Sequence, residues 1–183
     1  MKRRLFLTGA MGCGKSTAIR RGLGEDLPGL GGFLTERVRD KDEQVIYFTL
    51  SDAEGKRSDT FLDVSGSAPQ IRWEAFSGLG RELLRGDALV LDEIGGVELL
   101  CPKFAAALEA LLESDVPVVG VYKSESACAA LVRKLGLTAE YEAAAARLRD
   151  LLRTDGDTLL YECGQYDETA PLLVEAWAKE YIP

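Results

Sequence analysis

Gly9-Ala10-Met11-Gly12-Cys13-Gly14-Lys15-Ser16 is the stretch whose reading decides the fold. Its spacing is Gly-x-x-x-x-Gly-Lys-[Ser/Thr], that of the phosphate-binding P-loop. The residues before it, Leu5-Phe6-Leu7-Thr8, form an apolar run that predicts a buried strand. The residues after it, Thr17-Ala18-Ile19-Arg20-Arg21, continue naturally as a helix. Glycine lets such a loop curl until successive backbone N–H groups point inward at an anion. The helix N-terminus adds unpaired N–H groups and a partial positive charge. Gly9, Ala10, Met11, Gly12, Cys13, Gly14, Lys15, Ser16 and Thr17 are therefore the expected nucleotide-binding residues. Lys15 is expected to reach the β- and γ-phosphates, and the Ser16 hydroxyl to bind Mg²⁺. As an exposed loop residue, Lys15 is expected to carry little stability.

Outward from the loop, residues 33–39 and 44–50 predict two strands. The charged turn Asp40-Lys41-Asp42-Glu43 joins them into a β-hairpin. A short strand is expected at 60–64 and a helix at 73–85, where Gly78 and Gly80 are unfavourable. Apolar runs at 87–93, 116–122 and 158–162 predict buried strands. Helical spacing marks 102–113, 125–135, 139–153 and 169–181. In the last helix, Pro171 falls in the first turn, with Leu172, Leu173, Ala176 and Trp177 expected inward. Apolar strands alternating with helices predict an α/β fold with a mostly parallel sheet covered by helices on both faces. The hairpin is expected as an antiparallel addition at its edge. No repeat or linker divides the chain, so residues 1–183 are expected to form a single domain.

Net charge is −8, which argues against broad binding to nucleic acid or to an anionic membrane, since both need a basic face. The basic start Met1-Lys2-Arg3-Arg4 imitates a signal peptide, but its apolar stretch is short and runs straight into the P-loop. No run approaches the roughly 20 apolar residues of a membrane span. The protein is expected in the cytoplasm. Cys13, Cys101, Cys128 and Cys163 form no Cys-x-x-Cys pair, and the chain has no histidine. Reduced thiols are expected rather than a zinc site. Cys13 stands apart because an adduct inside the phosphate loop would block nucleotide. Without histidine, any general base must be Asp, Glu, Lys or Tyr.

Asp92 follows four apolar residues, Ala88-Leu89-Val90-Leu91. This is the Walker B pattern, a buried strand whose terminal aspartate holds Mg²⁺. Parallel strands bind ligands at their carboxyl ends, which brings Asp92 beside the P-loop. The adjacent Glu93 is the expected catalytic base, orienting and deprotonating a water that attacks the γ-phosphate. The bland alternative is a solvated carboxylate at a strand end.

Three stretches together resemble one family. They are Gly9 to Ser16, Gly31-Gly32-Phe33-Leu34-Thr35-Glu36-Arg37-Val38-Arg39, and Asp92-Glu93-Ile94-Gly95-Gly96-Val97-Glu98-Leu99. They look like the small P-loop nucleoside-triphosphatases of the cancer-related and thermophile type. That family has a Gly-Phe-x-Thr-x-Glu-Val-Arg-like strand and an Asp-Glu-Ile-Gly-x-Met-Glu-like motif, with a Phe a few residues on, matched by Phe104. The resemblance covers roughly residues 3–50 and 87–122. Val97 and Cys101 stand where Met and Ser are usual, 53–75 lacks the usual glycine-tyrosine pattern, and 124–183 matches poorly. The resemblance implies a RecA-like variant fold and slow, base-unselective, Mg²⁺-dependent hydrolysis of nucleoside triphosphates to diphosphates.

Arg37 and Arg39 lie on the family's strand and alternate with Val38, so both can leave one face. Either could meet the γ-phosphate, and ordinary strand-edge charge is the competing reading. Glu36 and Glu98 are expected as structural partners, and Trp73 and Tyr122 as packing residues rather than base stackers. Two rivals to a hydrolase remain open. One is a phosphotransferase with a small acceptor; the other is a nucleotide-driven switch for an unidentified protein partner.

Overall fold

A computed structural model describes residues 1–182 of the chain. The elements run β1 (Arg4–Gly9), α1 (Lys15–Leu23), β2 (Gly31–Arg39), β3 (Val45–Ser51), β4 (Ser58–Asp63), β5 (Gln70–Ile71) and α2 (73–83). They continue with β6 (Leu89–Ile94), α3 (Pro102–Leu112), β7 (Val118–Tyr122), α4 (Glu125–Leu135), α5 (Ala139–Thr154), β8 (Thr158–Cys163) and α6 (Thr169–Tyr181). One eight-stranded sheet has the order β5-β4-β3-β2-β6-β7-β1-β8. From β2 to β8 its neighbours are parallel; from β2 to β5 they are antiparallel.

The central strands are apolar throughout because both their faces are covered. Leu5, Phe6, Leu7, Leu89, Val90, Leu91, Val118 and Val119 are all fully buried. Alternation along each strand divides them between two cores. Phe6, Leu89, Leu91 and Val118 pack with residues of α2, α3 and α5 on one face. Leu5, Leu7, Val90 and Val119 pack with residues of α1 and α6 on the other. Each such side chain contributes about 1.5–3 kcal/mol, so the strands that carry the site are also the most firmly held.

The antiparallel part is larger than an edge hairpin. The first half of β2 pairs in parallel with β6, and the second half pairs antiparallel with β3. Then β4 and the two-residue β5, too short to leave a period, extend the sheet outward. Gly31 and Gly32, which punctuate the sequence like a loop, lie inside β2. A β-carbon on Gly32, whose φ is 94°, would fall 1.9 Å from the Val90 carbonyl oxygen. Glycine here admits strand packing rather than a turn.

The helix expected at 73–85 ends at Leu83 and widens into a π-turn at Phe76–Gly80, the segment that contains the two unfavourable glycines. Phe76 packs there between Phe61 and Phe104, with ring centroids 5.1 and 5.7 Å away. In α6 the inward face is Ala170, Pro171, Val174, Trp177 and Ala178. Leu172 is 62% exposed, and Ala176 is also exposed, so the expected inward face is rotated. The Trp177 indole N–H, which donates to the Arg3 carbonyl at 2.8 Å, fixes that rotation.

At the end of the sheet opposite the P-loop, the buried Arg4 guanidinium donates to Asp155 at 2.8 Å and to the Ser114 carbonyl at 2.8 Å. Arg4 holds the Asp155 carboxyl well below the usual carboxylate range. The depressed group contributes stability that is present above its unfolded value, about 3.9, and lost as pH falls through the folded one. Asp155→Asn leaves a buried guanidinium without its counter-charge. It is expected to cost about 3 kcal/mol at pH 7, and the gap to wild type should narrow below about pH 4, as the unfolded chain takes up the proton that the folded Asp155 still refuses. Urea unfolding at pH 7 and pH 3 checks both parts; an equal deficit at the two values would refute the charge argument.

Candidate active site

The P-loop turns at Gly9, Gly12 and Gly14, with φ of 128°, 79° and 100°. Nothing lies within 4 Å of a β-carbon placed on Gly12 or Gly14, so backbone conformation rather than space requires glycine there. Helix α1 begins at Lys15 with no side-chain cap, which leaves first-turn N–H groups free for an anion. Lys15 is buried, 8% exposed, contrary to the expectation of an exposed lysine. Its ammonium folds over the loop and donates to the carbonyls of Gly9 at 3.1 Å and Ala10 at 2.8 Å. Cys13 is half-buried beside it, its Sγ 3.7 Å from Lys15 Nζ.

Sheet order explains how Asp92 arrives here. Strand β7 lies between β1 and β6, and both Leu7 and Asp92 are level with its Val121. Asp92, in the carboxyl half of β6, therefore lies next to the loop that leaves β1. The Ser16 hydroxyl donates to Asp92 Oδ1 at 3.1 Å. Asp92 is 2% exposed, and burial pushes its carboxyl up to about 6 against the opposing hydrogen bond from Ser16. Its Oδ2 is buried and has no hydrogen-bond partner. An orphaned carboxylate oxygen beside a hydroxyl, both hard oxygen donors, fits Mg²⁺. Among the described residues no group of three or more His, Cys, Asp or Glu could hold a metal by itself.

Glu93 follows at a register irregularity between Asp92 and Ile94. Its Oε1 accepts from the Lys123 ammonium, and both side chains are largely buried. Lys123 is the first polar residue after β7, and its N–H donates to the Ile94 carbonyl at 2.9 Å. The next turn is held from within. Glu98, buried, accepts from the N–H groups of Gly95 at 2.6 Å and Gly96 at 2.8 Å. Burial raises the Glu98 carboxyl above its ordinary value. The Tyr141 hydroxyl, on α5, donates to the Gly95 carbonyl at 2.8 Å. Glu98 is thus the structural partner expected of it.

Ser16 and Asp92 meet directly and Lys15 lies on the same loop, while Glu93, next in the chain to Asp92, is paired with Lys123. Arg37 and Arg39 are not drawn to them by any hydrogen bond among the described residues. Arg39 donates to the Glu43 carbonyl at 2.5 Å in the hairpin turn, and Arg37 is exposed opposite Phe48. Their neighbour Glu36 reaches α1 instead, 3.1 Å from Arg20. Trp73 is 38% exposed, and Tyr122 is buried in the core. Lys123 and Tyr141 were missed by sequence reasoning. Lys123 left a usable signal, a charge at the carboxyl end of a buried strand, as at Asp92. Tyr141 left none, since it is one more apolar position on an amphipathic helix.

A profile of the NTPase family matches residues 4–150, most of the chain and all of the residues just described. The chain belongs to the NTPase family. A relative, nucleoside-triphosphatase THEP1 of Methanosarcina acetivorans, is 31% identical over 136 residues, covering 67% of this NTPase and 77% of the relative. The crystal structure of THEP1 from Aquifex aeolicus superposes with a TM-score of 0.69 at 17% identity, over 98% of this chain and 99% of that one. The solution structure of a human cancer-related nucleoside triphosphatase gives 0.62 at 21% identity, over 97% and 96%. The two structures share the P-loop NTPase fold with this NTPase.

Proposed function

We propose that this NTPase, as a single domain, hydrolyses nucleoside triphosphates, ATP and GTP among them, to diphosphate and phosphate with Mg²⁺ as cofactor. One observation carries the reading. The P-loop serine meets a buried aspartate at 3.1 Å, and that aspartate's second oxygen has no partner. Ser16 and Asp92 are the residues that would hold the metal, which supplies charge neutralisation at the β- and γ-phosphate oxygens. Lys15 and the amides of Gly9 to Thr17 bind and orient the phosphates. Lys123 holds Glu93 Oε1 and leaves Oε2 to take a proton from water. As that proton leaves, the water oxygen bonds to the γ-phosphorus, and the bond from phosphorus to the β–γ bridging oxygen breaks. The electron pair stays with the diphosphate, whose charge Lys15 steadies. Arg37 and Arg39 are the arginines proposed for the γ-phosphate, Arg37 being the one not engaged in the hairpin turn.

An absence of nucleic-acid partners accords with the net charge of −8, and the proposed site of action is the cytoplasm. Among the described residues no helix is long and apolar enough to cross a membrane. The reading is tested by phosphate release from each triphosphate with no acceptor present, over a range of Mg²⁺ concentrations. Release that required a small acceptor would favour a phosphotransferase instead. In the same assay, Asp92→Asn should raise the Mg²⁺ needed for half-maximal rate by about 10–100-fold, because a neutral amide holds the metal shell poorly. A Mg²⁺ curve identical to wild type would remove Asp92 from that shell.

A further inference from the structure

A cleft of about 250 Å³ opens on the side of the P-loop away from Asp92. Gly12, Thr17 and Arg21 line one wall, and Gln165, Tyr166 and Glu168 line the other. The second wall belongs to the segment that joins β8 to α6. Sheet order gives the cleft its meaning. Asp92 lies in the carboxyl half of β6, on one side of β1, while β8 flanks β1 on the other. If the γ-phosphate lies at Ser16 and Asp92, the nucleoside end of the same molecule must leave past Thr17 towards β8, into this cleft.

The wall carries an unusual residue. Tyr166 is 86% exposed, and its φ of 58° is left-handed, a conformation a bulky side chain disfavours. The frame around it imposes that backbone. Asp167 accepts from the N–H groups of Gly164 at 3.2 Å, Thr169 at 2.9 Å and Ala170 at 3.0 Å, and from the Tyr161 hydroxyl at 3.1 Å. A rigid loop thus presents an aromatic face that buries nothing within its own fold, at the mouth of a phosphate loop. Strained backbone of this kind collects at ligand sites. The volume falls below the 300–1,000 Å³ or so that takes a drug-sized ligand, and suits one heterocycle with part of its sugar.

We propose that this cleft is the nucleobase subsite, with Tyr166 as the stacking face and Gln165 as the reader of the base edge. The assignment rests on the nucleoside-triphosphatase reading of the P-loop. Its chemistry is tolerant of the base. Every base has a face to stack, and the Gln165 amide can donate or accept, so it meets amino and keto edges alike. Asp167, the carboxylate that could have selected guanine, is occupied by backbone N–H groups. Arg21 is paired with Glu168 at 3.3 Å on the rim.

The test titrates ATP, CTP and inorganic tripolyphosphate into wild type, Tyr166→Gly and Tyr166→Phe by calorimetry, with thermal unfolding of each. Glycine suits the left-handed backbone, so removal of the ring is separated from damage to the loop. Tyr166→Gly should bind ATP about ten- to a hundredfold more weakly, bind tripolyphosphate as wild type does, and unfold at an unchanged or higher temperature. Tyr166→Phe should bind ATP like wild type. Unchanged ATP affinity in Tyr166→Gly overturns the subsite, as does equal weakening of ATP and tripolyphosphate. If wild type binds neither ATP nor tripolyphosphate, the phosphate-site reading has failed and takes this one with it. Wild type that binds tripolyphosphate as tightly as ATP sinks the base subsite alone.

Discussion

Glu93→Gln is expected to slow hydrolysis by about 10²–10⁴, the usual share of a general base, while ATP affinity changes by less than about tenfold. The amide keeps the size of the side chain, and its oxygen can still accept from Lys123, as the carboxylate Oε1 does. What it loses is the oxygen proposed to take the proton from water. Phosphate binding is proposed to rest on Lys15, Ser16 and the loop amides, none of which the change touches. The variant should therefore hold unhydrolysed ATP, which chromatography of the bound nucleotide after overnight incubation reads directly. A drop of only a few-fold would make Glu93 a bystander and move the switch or phosphotransferase readings ahead. Joint collapse of affinity and turnover would mean that the Glu93–Lys123 pair builds the site rather than acting in it.

Lys15→Ala should weaken ATP binding by about 10²-fold, since hydrogen bonds from a charged donor are each worth about 1.5–3 kcal/mol and this donor would bridge two phosphates. The structure adds a consequence for stability. The ammonium is buried and satisfied by two loop carbonyls. Removing it exposes the Ala10 carbonyl to water but leaves the buried Gly9 carbonyl without that partner, so the loss of stability should be about 1–3 kcal/mol. Calorimetric ATP titration beside thermal unfolding checks both. Unchanged affinity would take Lys15 out of the phosphate site, and an unfolded variant would mean that its carbonyl contacts hold the loop together.

The sequence by itself determined the P-loop, the buried strand that carries Asp92, and the alternation of strands and helices that makes a mostly parallel α/β sheet. Each is written locally. A glycine spacing dictates a left-handed backbone at Gly12 and Gly14, and an apolar run such as Leu89-Val90-Leu91 has to be covered on both sides. The tertiary structure decided what depends on residues far apart in the chain. It inserted β7 between β1 and β6, which sets Asp92 beside Ser16 and brings Lys123 to Glu93. It folded Lys15 inward, committed Arg39 to the hairpin turn, and turned α6 so that Val174 and Ala178, rather than Leu172 and Ala176, join Trp177 in the core. It also set Tyr166 on the far wall of the cleft beside the P-loop. Sequence periodicity records which residues are buried but not which neighbour buries them, and the neighbour is set by strand order, a property of the whole sheet.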